Sequence, residues 1–91
     1  MYNKIFEAVE KVPGASNPHR VRSRMIGNRY IITLDIEVNP QITITQAHEI
    51  AGAVEKSIES SIDNVYDILV HVEPAGECQT DEKFGVDKDM V

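Results

Sequence analysis

The stretch Val65-Tyr66-Asp67-Ile68-Leu69-Val70-His71-Val72-Glu73-Pro74 decides the fold. Tyr66, Ile68, Val70 and Val72 recur at every second position, the period of a strand with one buried face. Pro74 withholds the next ladder donor and stops the strand. The same alternation predicts Leu69, His71 and Glu73 on the opposite face. An imidazole and a carboxylate then stand roughly 7 Å apart along the strand, near its exit.

Ahead of this strand, Ser61-Ile62-Asp63-Asn64 reads as a loop, and before it Ala47, Ala51, Val54 and Ile58 form the apolar stripe of a helix reaching about Ser60 or Ser61. Thr43 and Gln46 make a capping box at its start, with Ile42 placed to staple onto Ala47. His48, Gly52, Glu55 and Glu59 follow the more polar side, with His48 in the first turn. Asn39-Pro40 closes an earlier strand, Arg29 to Val38, in which Tyr30, Ile32, Leu34, Ile36 and Val38 face one way. Arg29, Ile31, Thr33, Asp35 and Glu37 face the other, so Asp35 points away from the core.

Gly27-Asn28 tolerates positive φ and predicts a hairpin between this strand and an alternating stretch from His19 to Met25. Arg20, Arg22 and Arg24 alternate with Val21 and Ser23 and read as a solvated outer strand face rather than a phosphate site. Tyr2, Ile5, Phe6 and Val9 fall at helical spacings of three and four, and Pro13-Gly14 ends that helix near Lys11. From Ala75 onward the chain is polar and acidic, with Phe84 as its one aromatic residue. Residues 1–75 therefore read as one domain and 76–91 as an acidic tail, disordered or weakly docked.

The order helix, strand, strand, helix, strand predicts a two-layer α+β sandwich with a three-stranded mixed sheet and both helices on one face. A right-handed crossover puts the last strand parallel to Arg29–Val38 and beside it, the helices covering Tyr30, Ile32, Ile68 and Val70. The other face stays open and carries Asp35, Glu37, Leu69, His71 and Glu73. Ile31 and Leu69 are apolar residues there that a small monomer would leave in water, which points to a homodimer or a larger partner.

At 91 residues there is room for one small domain. A net charge of −6, with no Lys/Arg-rich patch in a helical context and Arg20, Arg22 and Arg24 as the only basic cluster, argues against nucleic acid as partner. The single Cys78 forms no internal disulfide and points to a reducing compartment. No apolar run reaches membrane-span length, and Met1-Tyr2-Asn3-Lys4-Ile5 lacks the core of a signal peptide. Catalysis is not expected: no nucleophile has an adjacent base, no glycine-rich phosphate loop is present, and no small-molecule substrate is implied.

Neutral imidazole and carboxylate suit zinc and neighbouring divalent ions. The candidate ligands are His19, Asp35, His48, His71 and Glu73, which include all three histidines of the chain. Local chemistry alone leaves open whether they share a site or are simply solvated.

Pro13-Gly14, His19-Arg20-Val21-Arg22-Ser23-Arg24, Gly27-Asn28-Arg29-Tyr30 with its strand to Val38, Gln46-Ala47-His48-Glu49-Ile50-Ala51 and His71-Val72-Glu73-Pro74 together resemble the C-terminal cytoplasmic domain of cation diffusion facilitator metal transporters. The likeness spans about residues 2–75. It implies a metallochaperone-like fold, related to ferredoxin-like domains, that dimerises on the cytoplasmic side of the cell membrane below a six-helix membrane domain exchanging divalent metal for protons. It also implies a regulatory role, in which cytoplasmic metal favours the dimer and modulates transport.

By that resemblance His19 matches the ligand at the start of the first strand, His48 the helix ligand, His71 the histidine of the final motif and Glu73 its acidic partner. Asp35 departs from the pattern, since many members carry histidine there; oxygen in place of nitrogen shifts preference toward harder ions. Zinc is the first expectation, with manganese, iron(II), cobalt, nickel and cadmium as alternatives. The membrane helices are missing, so the chain reads as an excised domain starting at an added Met1. A metal-independent dimerisation module and a free-standing soluble metal-binding homologue are the competing readings.

Overall fold

The computed structural model describes residues 1–76, folded as α1 (Tyr2–Glu10), β1 (Ser16–Ile26), β2 (Arg29–Val38), α2 (Ile44–Ser61) and β3 (Val65–Pro74). The strand order is β1-β2-β3, with β1 antiparallel and β3 parallel to β2. This is the expected α+β sandwich with a three-stranded mixed sheet. The reading of 76–91 as a tail lies, beyond Gly76, outside the described residues.

One sheet face packs on the helices. Ile32, Leu34, Ile36 and Val38 of β2 and Ile68 of β3 are buried with Ile5, Ala8 and Val9 of α1 and Val54 and Ile58 of α2. Ser57 on α2 donates its hydroxyl to the Ala8 carbonyl at 2.8 Å and ties the two helices together. The helix ends follow their sequence signals. Thr43 Oγ1 accepts from the Gln46 amide at 3.0 Å while Gln46 Oε1 accepts from the Thr43 amide at 2.9 Å, completing the capping box. At Gly14, φ is +93° and an added Cβ would fall 2.8 Å from Ile50 Cδ1, so the turn after α1 needs glycine twice over, for conformation and for space.

Two expectations are corrected. Tyr66, read as part of the buried stripe of β3, is 61% exposed. The register steps from Tyr30↔Val65 to Ile31↔Asp67, so Tyr66 is an extra residue in a bulge and leaves the core face to Val65 and Ile68. The strict alternation expected in β1 also fails: its register breaks on both sides of His19, from Ser16↔Glu37 to His19↔Asp35 and from there to Arg22↔Thr33. Each step advances β1 by three residues against two on β2, and Asn17 and Arg20 take positive φ of 47° and 49°. These bulges decide what β1 presents to the open face.

Candidate metal site

The unbulged strands fix most of the site. His19, Asp35 and His71 lie in one rung across all three strands, and Glu37 and Glu73 face each other two residues on, in the next rung of the same face. Because β2 alternates without interruption over this stretch, Asp35 and Glu37 share the face opposite Leu34 and Ile36. They are buried, 6% and 8% exposed, although no helix covers that face.

The two bulges bring β1 into register with this cluster. Ser16, His19 and Arg22 are three residues apart, yet each pairs with a β2 residue of the open face. His19 Nδ1 lies 2.7 Å from the Asn17 carbonyl, which can only accept, so Nδ1 carries the proton. The Nε2 atom is then the ligand-competent nitrogen of the neutral ring. It sits 3.2 Å from Glu73 Oε1 and 3.9 Å from Asp35 Oδ2. A lone pair facing carboxylate oxygens is satisfied only by a cation between them, a proton or a metal ion.

Arg20, read as part of a solvated strand face, is corrected by the same geometry. Its Nη1 contacts Asp35 Oδ2 at 2.8 Å and Glu73 Oε2 at 3.3 Å, while Arg22 and Arg24 stay exposed. The left-handed backbone at Arg20 breaks the alternation and places its side chain beside that of His19. Asn17 contributes a second time, donating from Nδ2 to Glu37 Oε2 at 2.8 Å.

Four of the five expected ligands thus gather. His71 joins through Asp35, its Nδ1 lying 3.4 Å from Oδ1. His48 does not: it is exposed on α2, in the layer on the far side of the sheet, and belongs to no group of three or more metal-type donors among the described residues. Glu37, absent from the expected ligand set, is one of three residues whose donor atoms lie within 4.8 Å of one another, with His19 and Glu73. Its signal was its place two residues from Asp35.

The described residues offer overlapping donor sets. His19, Glu37 and Glu73 can hold one ion with one nitrogen and two oxygen donors, and Asp35 links that set to His71. Mixed imidazole and carboxylate ligation fits zinc and its first-row neighbours better than soft, thiolate-preferring ions.

Fold and site together define a small α+β domain that gathers imidazole and carboxylate donors on one open sheet face. The chain belongs to the cytoplasmic-domain family of cation efflux proteins, a dimerisation family that matches residues 1–75. It is 35% identical over 71 residues to the magnetosome protein MamM of Magnetospirillum gryphiswaldense, covering 78% of this chain and 22% of that protein. It is 31% identical over 68 residues to metal tolerance protein 2 of rice, Oryza sativa subsp. japonica, covering 75% of this chain and 18% of that protein. The chain therefore spans about a fifth of the length of these curated relatives.

Among solved structures, the metal-bound C-terminal domain of the CzcD transporter from Thermotoga maritima superposes with a TM-score of 0.79 at 39% identity, covering 85% of this chain and 90% of that one. A cadmium form of the MamM C-terminal domain superposes with a TM-score of 0.76 at 34% identity, covering 80% and 91%. The fold is the metallochaperone-like fold of these domains. No described helix is long and apolar enough to cross a membrane.

Proposed function

We propose that this domain is the cytoplasmic regulatory part of a divalent-cation/proton antiporter, binding divalent metal on the open sheet face and dimerising to modulate transport. The observation that carries this reading is the cluster itself. Three carboxylates, two of them buried, converge with two imidazoles over two successive rungs of the same face, and the fixed cation paired with Asp35 and Glu73 is Arg20 alone among the described residues. Buried carboxylates in such density need cations.

Leu69 and the half-buried Ile31 flank the cluster on the same face, and covering them with a second copy would set the donors beside a subunit interface. An ion that binds only the dimer stabilises it by mass action, by about 2.7 kcal/mol at a hundred times its dissociation constant. That is enough to bias a two-state arrangement of attached membrane domains. His48, on the helical layer, belongs to no group of three or more metal-type donors among the described residues and would need further donors to take a metal. Zinc is the first candidate ion, and the metal carried by the membrane domain is its substrate.

A specific observation favours a second reading, the metal-independent dimerisation module: Arg20 already places one positive charge on Asp35 and Glu73. Titrating zinc into the protein and into His71→Ala while following the melting temperature separates the two. A rise in the parent that shrinks in the variant supports metal binding. Absent shifts in both, with a dimer that survives chelator in sedimentation, support the module.

A further inference from the structure

We infer that Arg20 is a tethered competitor for the metal: its guanidinium holds Asp35 and Glu73 in the ion-free domain, and a divalent cation enters by displacing it. The inference rests on the metal-binding reading above and adds a role for a residue outside the donor set. Arg20 Nη1 touches both Asp35 Oδ2 and Glu73 Oε2, at 2.8 and 3.3 Å. The same Asp35 oxygen and the other Glu73 oxygen are the ones that face His19 Nε2, at 3.9 and 3.2 Å.

A zinc ion binds carboxylate oxygen at about 2.0–2.2 Å. An ion on Asp35 Oδ2 or Glu73 would therefore lie within a few ångströms of Nη1, where a divalent ion and a guanidinium repel strongly in a partly desolvated site. Only one of them stays.

Two further features fit a displaceable cation rather than a structural strut. The Arg20 side chain is 66% exposed, so most of it already lies in water and no buried packing holds the guanidinium on the carboxylates. Its backbone sits at φ +49°, an uncommon conformation for a long side chain, and that local departure from strand geometry is what turns Arg20 onto the acidic face. Arg22 and Arg24, on regular strand, stay exposed and make no ion pair with the cluster among the described contacts.

The consequence is a set-point. Two contacts from an exposed guanidinium hold their partners by roughly two- to thirtyfold in equilibrium terms. Removing them should tighten metal binding by about tenfold. A low-affinity resting site suits a domain that responds only when metal is abundant, because the ion must outcompete a permanently attached cation.

The test is calorimetric titration of zinc into the 91-residue chain, Arg20→Gln, Arg20→Lys and Glu73→Gln at fixed pH and ionic strength, with the metal-free melting temperature of each. Expected results are binding about tenfold tighter in Arg20→Gln, near-parental binding in Arg20→Lys, and much weaker binding in Glu73→Gln. In the parent, the Arg20 side-chain NMR signals should move to solvated positions as zinc saturates. Equal or weaker binding in a folded Arg20→Gln, or Arg20 signals that ignore zinc while zinc binds, overturns the competitor role and leaves the metal site standing. Absence of binding in the parent, Arg20→Gln and Arg20→Lys alike overturns both.

Discussion

Asp35 meets His19, Arg20 and His71 at once, so replacing it with asparagine is a sharp perturbation of the site. Its Oδ2 meets Arg20 and faces His19, and its Oδ1 meets His71. Asparagine preserves shape and removes the charge. Loss of an outer-shell partner of a metal ligand weakens binding by 10–100-fold, so loss of a charged group in contact with the donors should cost at least about a hundredfold.

With zinc at a hundred times the parental dissociation constant, the parent gains about 2.7 kcal/mol from the ion. A hundredfold weaker variant sits at its own dissociation constant and gains about 0.4 kcal/mol by the same relation. For a domain of this size, 1 kcal/mol moves the melting temperature by roughly 4–8 °C. A parental rise of about 11–22 °C should therefore shrink to about 2–3 °C. In the metal-free chain the substitution should matter little, less than about 1 kcal/mol, because the Arg20 partner is two-thirds exposed and such pairs contribute about 0–1 kcal/mol. Differential scanning fluorimetry with and without zinc reads both quantities. An undiminished zinc shift in Asp35→Asn would refute the placement of Asp35 at the site.

Further outcomes follow from the same geometry. Asn17→Ala removes the amide that holds Glu37 and puts alanine at a positive φ, so zinc affinity should fall by about tenfold and the metal-free melting temperature should also drop, both read by titration and fluorimetry. Thr43→Ala breaks the capping box and should cost about 1 kcal/mol in urea unfolding while leaving zinc affinity unchanged. Ile58→Ala opens a cavity beneath the sheet and should cost about 2–5 kcal/mol in the same assay. Protons compete for ligating imidazole, which ordinarily titrates near 6.5. If His19 and His71 both ligate, zinc affinity should fall more steeply with falling pH than if only one does, as titrations at stepped pH would read.

How far the site could be read from sequence depended on which strand carried each residue. Asp35, His71 and Glu73 stand on stretches that alternate without interruption, so period-two counting placed them on the open face and Pro74 marked where the strand ends. Counting fails on β1. Strict alternation would have put His19 with Val21, on the side of the core, and Arg20 with Arg22 and Arg24 in solvent. The bulges at Asn17 and Arg20 reverse this, and such single-residue insertions leave no periodic trace, because each is fixed by pairing with β2. Tyr66 was misplaced for the same reason.

His48 illustrates the complementary limit. Its place near the start of α2 was legible from the capping box, but that α2 carries it away from the cluster follows from which sheet face the helix covers. Glu37 lay within reach of sequence reasoning, two residues from Asp35 on the same face, yet its closeness to His19 depends on the shifted register of β1.

The most direct measurement is anomalous diffraction at the zinc absorption edge from crystals of the protein soaked in zinc. The expected peak lies about 2.0–2.2 Å from His19 Nε2 and from a Glu73 or Glu37 oxygen, with the Arg20 guanidinium swung away. A well-occupied peak on other side chains, or no peak beside His19 at saturating zinc, would contradict the assignment of this sheet face as the metal site.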